Sequence, residues 1–133
     1  MEPVTMARPP ASQPTDVELQ ILQVLWEHGP STVRFIHDCL SETRETAYAT
    51  TVKMLVIMFE KGLVTRDDSV RPQIYKAAVT RKKTQKQMLN ELIHKVYDGS
   101  AASVVLQALS SKKASKEDVA KIRELLDELE EDA

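Results

Sequence analysis

Ala47-Tyr48-Ala49-Thr50-Thr51-Val52-Lys53-Met54-Leu55, followed shortly by Glu60-Lys61-Gly62-Leu63-Val64, is the stretch whose reading decides the fold. Its first half is polar, its second half is apolar, and a glycine then opens onto aliphatic residues. The pattern predicts one helix over about 47–61 with an exposed start and buried later turns, leaving through Gly62 into a strand. A helix that ends on glycine and passes directly into a short β-hairpin is the centre of a winged helix-turn-helix. Two registers satisfy the apolar pattern. The buried stripe is either Thr51, Met54, Leu55 and Met58 or Val52, Leu55, Val56 and Phe59; both put Leu55 inside and leave Thr46, Thr50 and Lys53 facing out.

Working outward, 63–66 and 73–77 are expected to form the two wing strands and 67–72 their turn, with Arg66, Arg71 and Lys76 making the hairpin basic. On the N-terminal side, Thr15-Asp16-Val17-Glu18 after Pro14 reads as a capping box opening a first helix. That helix runs to about Glu27 with Leu19, Leu22, Leu25 and Trp26 on one face, and Gly29-Pro30 ends it. Ser31 or Thr32 caps a second helix that carries Val33, Ile36 and Leu40 inward, and a loop over 42–45 leads to a cap at Thr46. Residues 1–13, with three prolines and few large apolar side chains, are expected to be a disordered arm.

From Thr80 the pattern is helical again, with Met88, Leu89, Leu92, Ile93 and Val96 on one face before a stop at Asp98-Gly99. A short apolar helix over 101–109 follows, and Ser115 with Asp118 caps a last helix bearing Val119, Ile122, Leu125, Leu126 and Leu129. So many large aliphatics need a partner, and a second copy of the same segment is the economical one. The expected architecture is mainly α with a small β-hairpin: a winged helix-turn-helix domain over 14–79 and a helical dimerisation module over 80–133. Dimerisation is placed on Val104, Val105, Leu109, Ile122, Leu125, Leu126 and Leu129.

Charge supports a nucleic-acid reading only when it is located. The whole chain carries a net charge of −2. Residues 44–86, however, hold ten basic and four acidic side chains, flanked by segments that are each net acidic. The positive block covers the central helix and the hairpin, where a phosphate-binding surface requires it. On that helix Thr50 offers a hydroxyl to a base edge or phosphate, Ala49 can approach a thymine methyl, Tyr48 can reach a phosphate, and Lys53 adds a point charge. Thr46 at the helix start, Thr32 at the start of the preceding helix, and Arg66 and Arg71 on the wing complete the candidate DNA-binding set.

Other chemistries find little support. One cysteine, Cys39, provides neither a disulfide framework nor a thiolate cluster, and His28, His37 and His94 have no metal-ligand spacing. Three dispersed glycines make no phosphate loop, and no triad or acid pair is recognisable. No catalytic residue, cofactor or metal is therefore expected. The longest apolar run, 54–59, is far too short to cross a bilayer, and no signal-peptide pattern opens the chain, which suggests a cytoplasmic protein.

These residues resemble the penicillinase and methicillin-resistance repressors (the BlaI/MecI family). The resemblance runs from Thr15 to about Glu131 and is carried by Leu22-Gln23-Val24-Leu25-Trp26, Ala47-Tyr48-Ala49-Thr50-Thr51-Val52, Glu60-Lys61-Gly62-Leu63-Val64, Tyr75, and Ser103-Val104-Val105-Leu106 before the final leucine-rich helix. It implies a homodimeric repressor that binds a palindromic double-stranded DNA operator, and release by proteolysis in the C-terminal module under a membrane sensor-protease. The cleavage region so implied is Gln107-Ala108, where this chain departs from the family's Asn-Phe pair. Ile57 stands where some relatives carry a basic residue, and the C-terminal cysteine cluster of copper-responsive relatives is absent. The competing class is a winged-helix protein-interaction module without DNA binding.

Overall fold

The computed structural model describes residues 13–133, so the arm expected over 1–13 lies outside the described residues but for Gln13. Helix α1, Asp16–His28, opens on a complete capping box: Thr15 Oγ1 accepts the Glu18 amide at 3.3 Å, and the Glu18 carboxylate accepts the Thr15 amide at 3.0 Å. A two-residue strand, β1 (Ser31–Thr32), leads into α2 (Val33–Ser41), whose N-cap is Thr32, accepting the Phe35 amide at 3.1 Å. Helix α3 spans Tyr48–Glu60. The expected cap at Thr46 is not formed. The N-cap position falls one residue later, on Ala47, which has no side-chain acceptor, so tertiary contacts rather than a cap hold this helix start.

The exit of α3 explains Gly62. The Leu63 amide returns to the Met58 carbonyl at 2.9 Å and the Gly62 amide to the Phe59 carbonyl at 3.1 Å, the paired bonds of a Schellman motif, with Gly62 at φ 81°. A Cβ built there would meet nothing within 4 Å, so the requirement is conformational rather than steric. The chain then forms β2 (Val64–Asp67) and β3 (Ile74–Ala77), paired antiparallel with Arg66 opposite Tyr75. Strand β1 adds to the other edge of β3, Ser31 opposite Tyr75, giving a three-stranded sheet in the order β1-β3-β2 where a two-stranded hairpin was expected. This mainly helical winged helix-turn-helix thus has its wing tied into the body of the domain by β1.

The core comprises Ile21, Leu22 and Leu25 of α1, Ile36 and Leu40 of α2, Leu55 and Met58 of α3, then Leu63, Val64 and Tyr75. The first of the two α3 registers is therefore the one adopted, with Thr51 fully buried beside Leu55 and Met58. Phe59 stays at the surface in this register, where the Arg66 guanidinium lies over its ring at 4.3 Å. The buried Glu18 is ion-paired with Lys61, Nζ to Oε1 at 2.8 Å, which joins the start of α1 to the end of α3. Removing either partner would strand a charge in the interior.

The described chain divides into two compact units at Met88 and Leu89. That division falls within α4 (Arg81–Val96), which is followed by α5 (Ala101–Ser111) and α6 (Lys116–Asp132). Ser100 caps α5 through the Ser103 amide at 3.1 Å, and Ser115 caps α6 through the Asp118 amide at 3.0 Å.

Candidate nucleic-acid interface

With Thr51, Leu55 and Met58 committed to the core, the opposite side of α3 is fixed as its solvent face. Ala49, Thr50 and Lys53 lie on it, exposed; Tyr48, also exposed, sits three residues before Thr51 on the side that meets α2, and Thr46 just ahead of the helix is half-buried. Lys53 makes no ion pair within the described residues, so its ammonium is free to meet an anion. The stripe continues through Val56, which is also exposed and which the sequence patterning left undecided between core and surface. Ile57 is half-buried. The face therefore opens with small and hydroxylated side chains, has one free cation at its middle, and becomes apolar toward the Gly62 exit.

The wing is less positive than its sequence suggests. Arg66, expected to face phosphate, is half-buried with its Nε 2.9 Å from Asp68 Oδ1. That contact is a charge pairing off the N–H axis, since Nε has no aligned hydrogen bond. The Tyr75 hydroxyl chiefly, with Asp68 assisting, holds the Arg66 guanidinium still more firmly in its charged form. Arg66 thus pins the hairpin to the Phe59 ring. Arg71, in the turn, is exposed and makes no ion pair within the described residues. The turn is shaped by its own side chains: Asp67 Oδ1 accepts the Ser69 amide at 2.9 Å and the Ser69 hydroxyl, and Asp68 Oδ1 accepts Gln73 Nε2 at 2.7 Å. The Ser69 bonds keep the Asp67 carboxyl below the usual carboxylate range.

At the start of α3 a cluster occupies the seam with α2. The Arg34 guanidinium lies over the Tyr48 ring at 4.5 Å, and the His37 ring meets the same ring edge-on at 5.3 Å. His37 Nδ1 lies 2.9 Å from the hydroxyl of buried Thr51, and its Nε2 lies 3.4 Å from Ser41 Oγ. Sequence patterning missed Arg34, which belongs to an acidic segment of the chain, and read His37 only as lacking metal-ligand spacing. No periodicity relates either to Tyr48; only the α2–α3 crossing does. Thr32, from the candidate set, is half-buried; its Oγ1 is occupied as a cap acceptor while its proton remains to donate.

In the second unit the expected dimerisation residues lie on α5 and α6. Val105, Leu109, Leu125, Leu126 and Leu129 are exposed, Val104 and Ile122 half-buried, and neither helix has a buried residue within the described chain. Gln107 and Ala108 sit inside α5, exposed, with Gln107 Oε1 accepting the Tyr97 hydroxyl at 3.1 Å. Elsewhere, partial burial and then Glu42, Asp38 and Glu27 raise the Cys39 thiol, which disfavours the thiolate that redox chemistry needs. Among the described residues no group of three or more His, Cys, Asp or Glu side chains could hold a metal ion, and no helix is long and apolar enough to cross a membrane.

A helix framed by a core on one side and an open face on the other, backed by a sheet-anchored wing, defines a winged helix-turn-helix domain. The model of the penicillinase repressor family matches residues 14–128, and the chain belongs to that family. It is similar to the penicillinase repressor of Bacillus licheniformis, 23% identical over 116 residues that cover 87% of this chain and 91% of the relative. A transcriptional regulator of Thermotoga maritima of known structure aligns over 88% of this chain and 74% of its own, at 21% identity and a TM-score of 0.48.

Proposed function

We propose that the protein is a cytoplasmic homodimeric repressor that binds a palindromic double-stranded DNA operator, with α3 in the major groove and the hairpin as its wing. The winged domain over 14–79 carries the DNA contacts, and the module over 80–133 carries dimerisation through Val104, Val105, Leu109, Ile122, Leu125, Leu126 and Leu129. The observation that carries this reading is the division of α3 into a core face and an open face presenting Ala49, Thr50 and Lys53. Ala49 and Thr50, in the first turns, read base edges, while Tyr48, Lys53, Arg71, Thr32 and Thr46 hold phosphates. Arg66 contributes indirectly, by fixing the hairpin that carries Arg71. Membership of the penicillinase repressor family supports the regulatory role.

Release follows from the same construction. A cut by a membrane sensor-protease at Gln107-Ala108, in the middle of α5, would detach Ile122, Leu125, Leu126 and Leu129 from the DNA-binding domain and so lower operator affinity. The test of DNA binding is a titration of the chain's own promoter region and of random duplex across a salt series. Binding should be sequence-selective and fall steeply with salt, and Lys53→Ala and Arg71→Ala should each flatten the slope by about one charge. Salt-insensitive or absent binding would leave the protein-interaction module as the reading.

A further inference from the structure

We propose that Arg34, on α2, is a further phosphate-binding residue, pre-positioned by stacking on Tyr48, so that its guanidinium and the Tyr48 hydroxyl grip one DNA phosphate at the start of α3. The inference deepens the operator-binding reading and rests on it. An arginine stacked on an aromatic ring uses its flat face for the ring and keeps its N–H edge for an anion. The Arg34 guanidinium carbon lies over the Tyr48 ring, 4.5 Å from its centroid, a separation that accommodates that arrangement. Its nearest carboxylate, Asp38, is 3.9 Å away and both side chains are about two-thirds exposed, so solvent leaves the Arg34 charge largely uncompensated. The Tyr48 hydroxyl makes no hydrogen bond within the described residues.

The ring itself is fixed. His37 packs edge-on against it, and His37 Nδ1 is held 2.9 Å from Thr51 Oγ1, which is fully buried on the core face of the same helix. The stacked arginine therefore has less conformational freedom to lose when it meets a phosphate, which favours binding. Arg66 provides the internal contrast. It also covers an aromatic ring, Phe59 at 4.3 Å, but Asp68 at 2.9 Å consumes its charge. Of these two stacked arginines, Arg34 is the one with an edge to give.

The test uses the full chain, titrated with labelled promoter duplex and random duplex across a sodium chloride series. Arg34→Ala should weaken binding to both and flatten the salt slope by about one. Arg34→Lys should keep the slope yet bind less tightly, because a lysine neither stacks flat nor forks onto a phosphate. The cost of Arg34→Ala should shrink by about two- to fivefold in a Tyr48→Ala background, the size expected of an exposed cation–π pairing. Tyr48→Phe should preserve that coupling while losing the hydroxyl contact. Wild-type slope and affinity in Arg34→Ala, with Lys53→Ala still flattening the slope, would overturn this inference alone. Salt-insensitive binding by the wild type would overturn the operator reading along with it.

Discussion

The two units of the chain treat their aliphatic side chains in opposite ways. In the first, Ile21, Leu22, Ile36, Leu55 and Met58 are fully removed from solvent within one layer of helices closed by a small sheet. In the second, Val96 and Leu106 remain 66% and 68% exposed, and Leu125, Leu126 and Leu129 are more than half exposed on a single helix. Burial of each such side chain is worth roughly 1.5–3 kcal/mol, so the first unit has a core of its own and the second has the components of one without the cover. On the proposed reading, the first unit is the DNA-binding domain and the second a module stabilised by association. The proposed homodimer would link assembly to operator affinity, because it would hold two α3 helices about one DNA turn, or a multiple of it, apart.

A charge on the apolar face of α6 should disturb this division most. Leu126→Asp is expected to give monomers with an intact winged domain that bind a full operator no better than a half-site; sedimentation and band-shift titration read the two outcomes. Leu55→Ala, in the closed core, should instead destabilise the winged unit by about 2–5 kcal/mol in denaturant unfolding, through lost burial and a residual cavity. If Leu126→Asp unfolded the winged domain as severely as Leu55→Ala, the two units would not be independent. The smallest effect sharpens the DNA-reading side. Thr50→Ala should lower preference for operator over random duplex by roughly 1–3 kcal/mol with non-specific binding nearly unchanged. Equal losses on both duplexes would make Thr50 a positioning residue only.

What the sequence made legible, and what it did not, follows the range of the interactions. Helix starts at Thr15, Thr32, Ser100 and Ser115 depend on neighbours three residues away; of these Thr15 and Ser115 could be read directly, and Thr32 as one of two candidates beside Ser31. The exit at Gly62 and the basic hairpin were equally local. The register of α3 was not. Met58 and Phe59 are both apolar, and the choice between them follows from which side of α3 packs on the other helices; Phe59, left outside, has the Arg66 guanidinium over its ring. Strand β1 is too short for any periodicity and exists only because β3 offers it an edge. The cap expected at Thr46 failed because a hydroxyl in the right neighbourhood is not enough: the helix begins where the His37, Tyr48 and Thr51 cluster fixes it.

The same distinction applies to the candidate interface. Tyr48, Ala49, Thr50 and Lys53 were readable because they share one helix, and all four are exposed. Charge counting along the chain overstated the free positive charge of the central block, since Lys61 at the end of α3 is committed to Glu18 and Arg66 on the wing is paired with Asp68. It also missed Arg34, which reaches the start of α3 from another helix. Specific ion pairs, whether across the fold as in Lys61–Glu18 or within the turn as in Arg66–Asp68, decide which cations are free, and composition does not register them.

If association through the second unit builds the operator-binding form, sedimentation of the wild-type chain at micromolar concentration, alone and with operator duplex, should reveal it. A dimer is expected in both samples, with two chains per operator. A monomer in solution that still binds its operator tightly as a single chain would contradict the link between assembly and DNA binding.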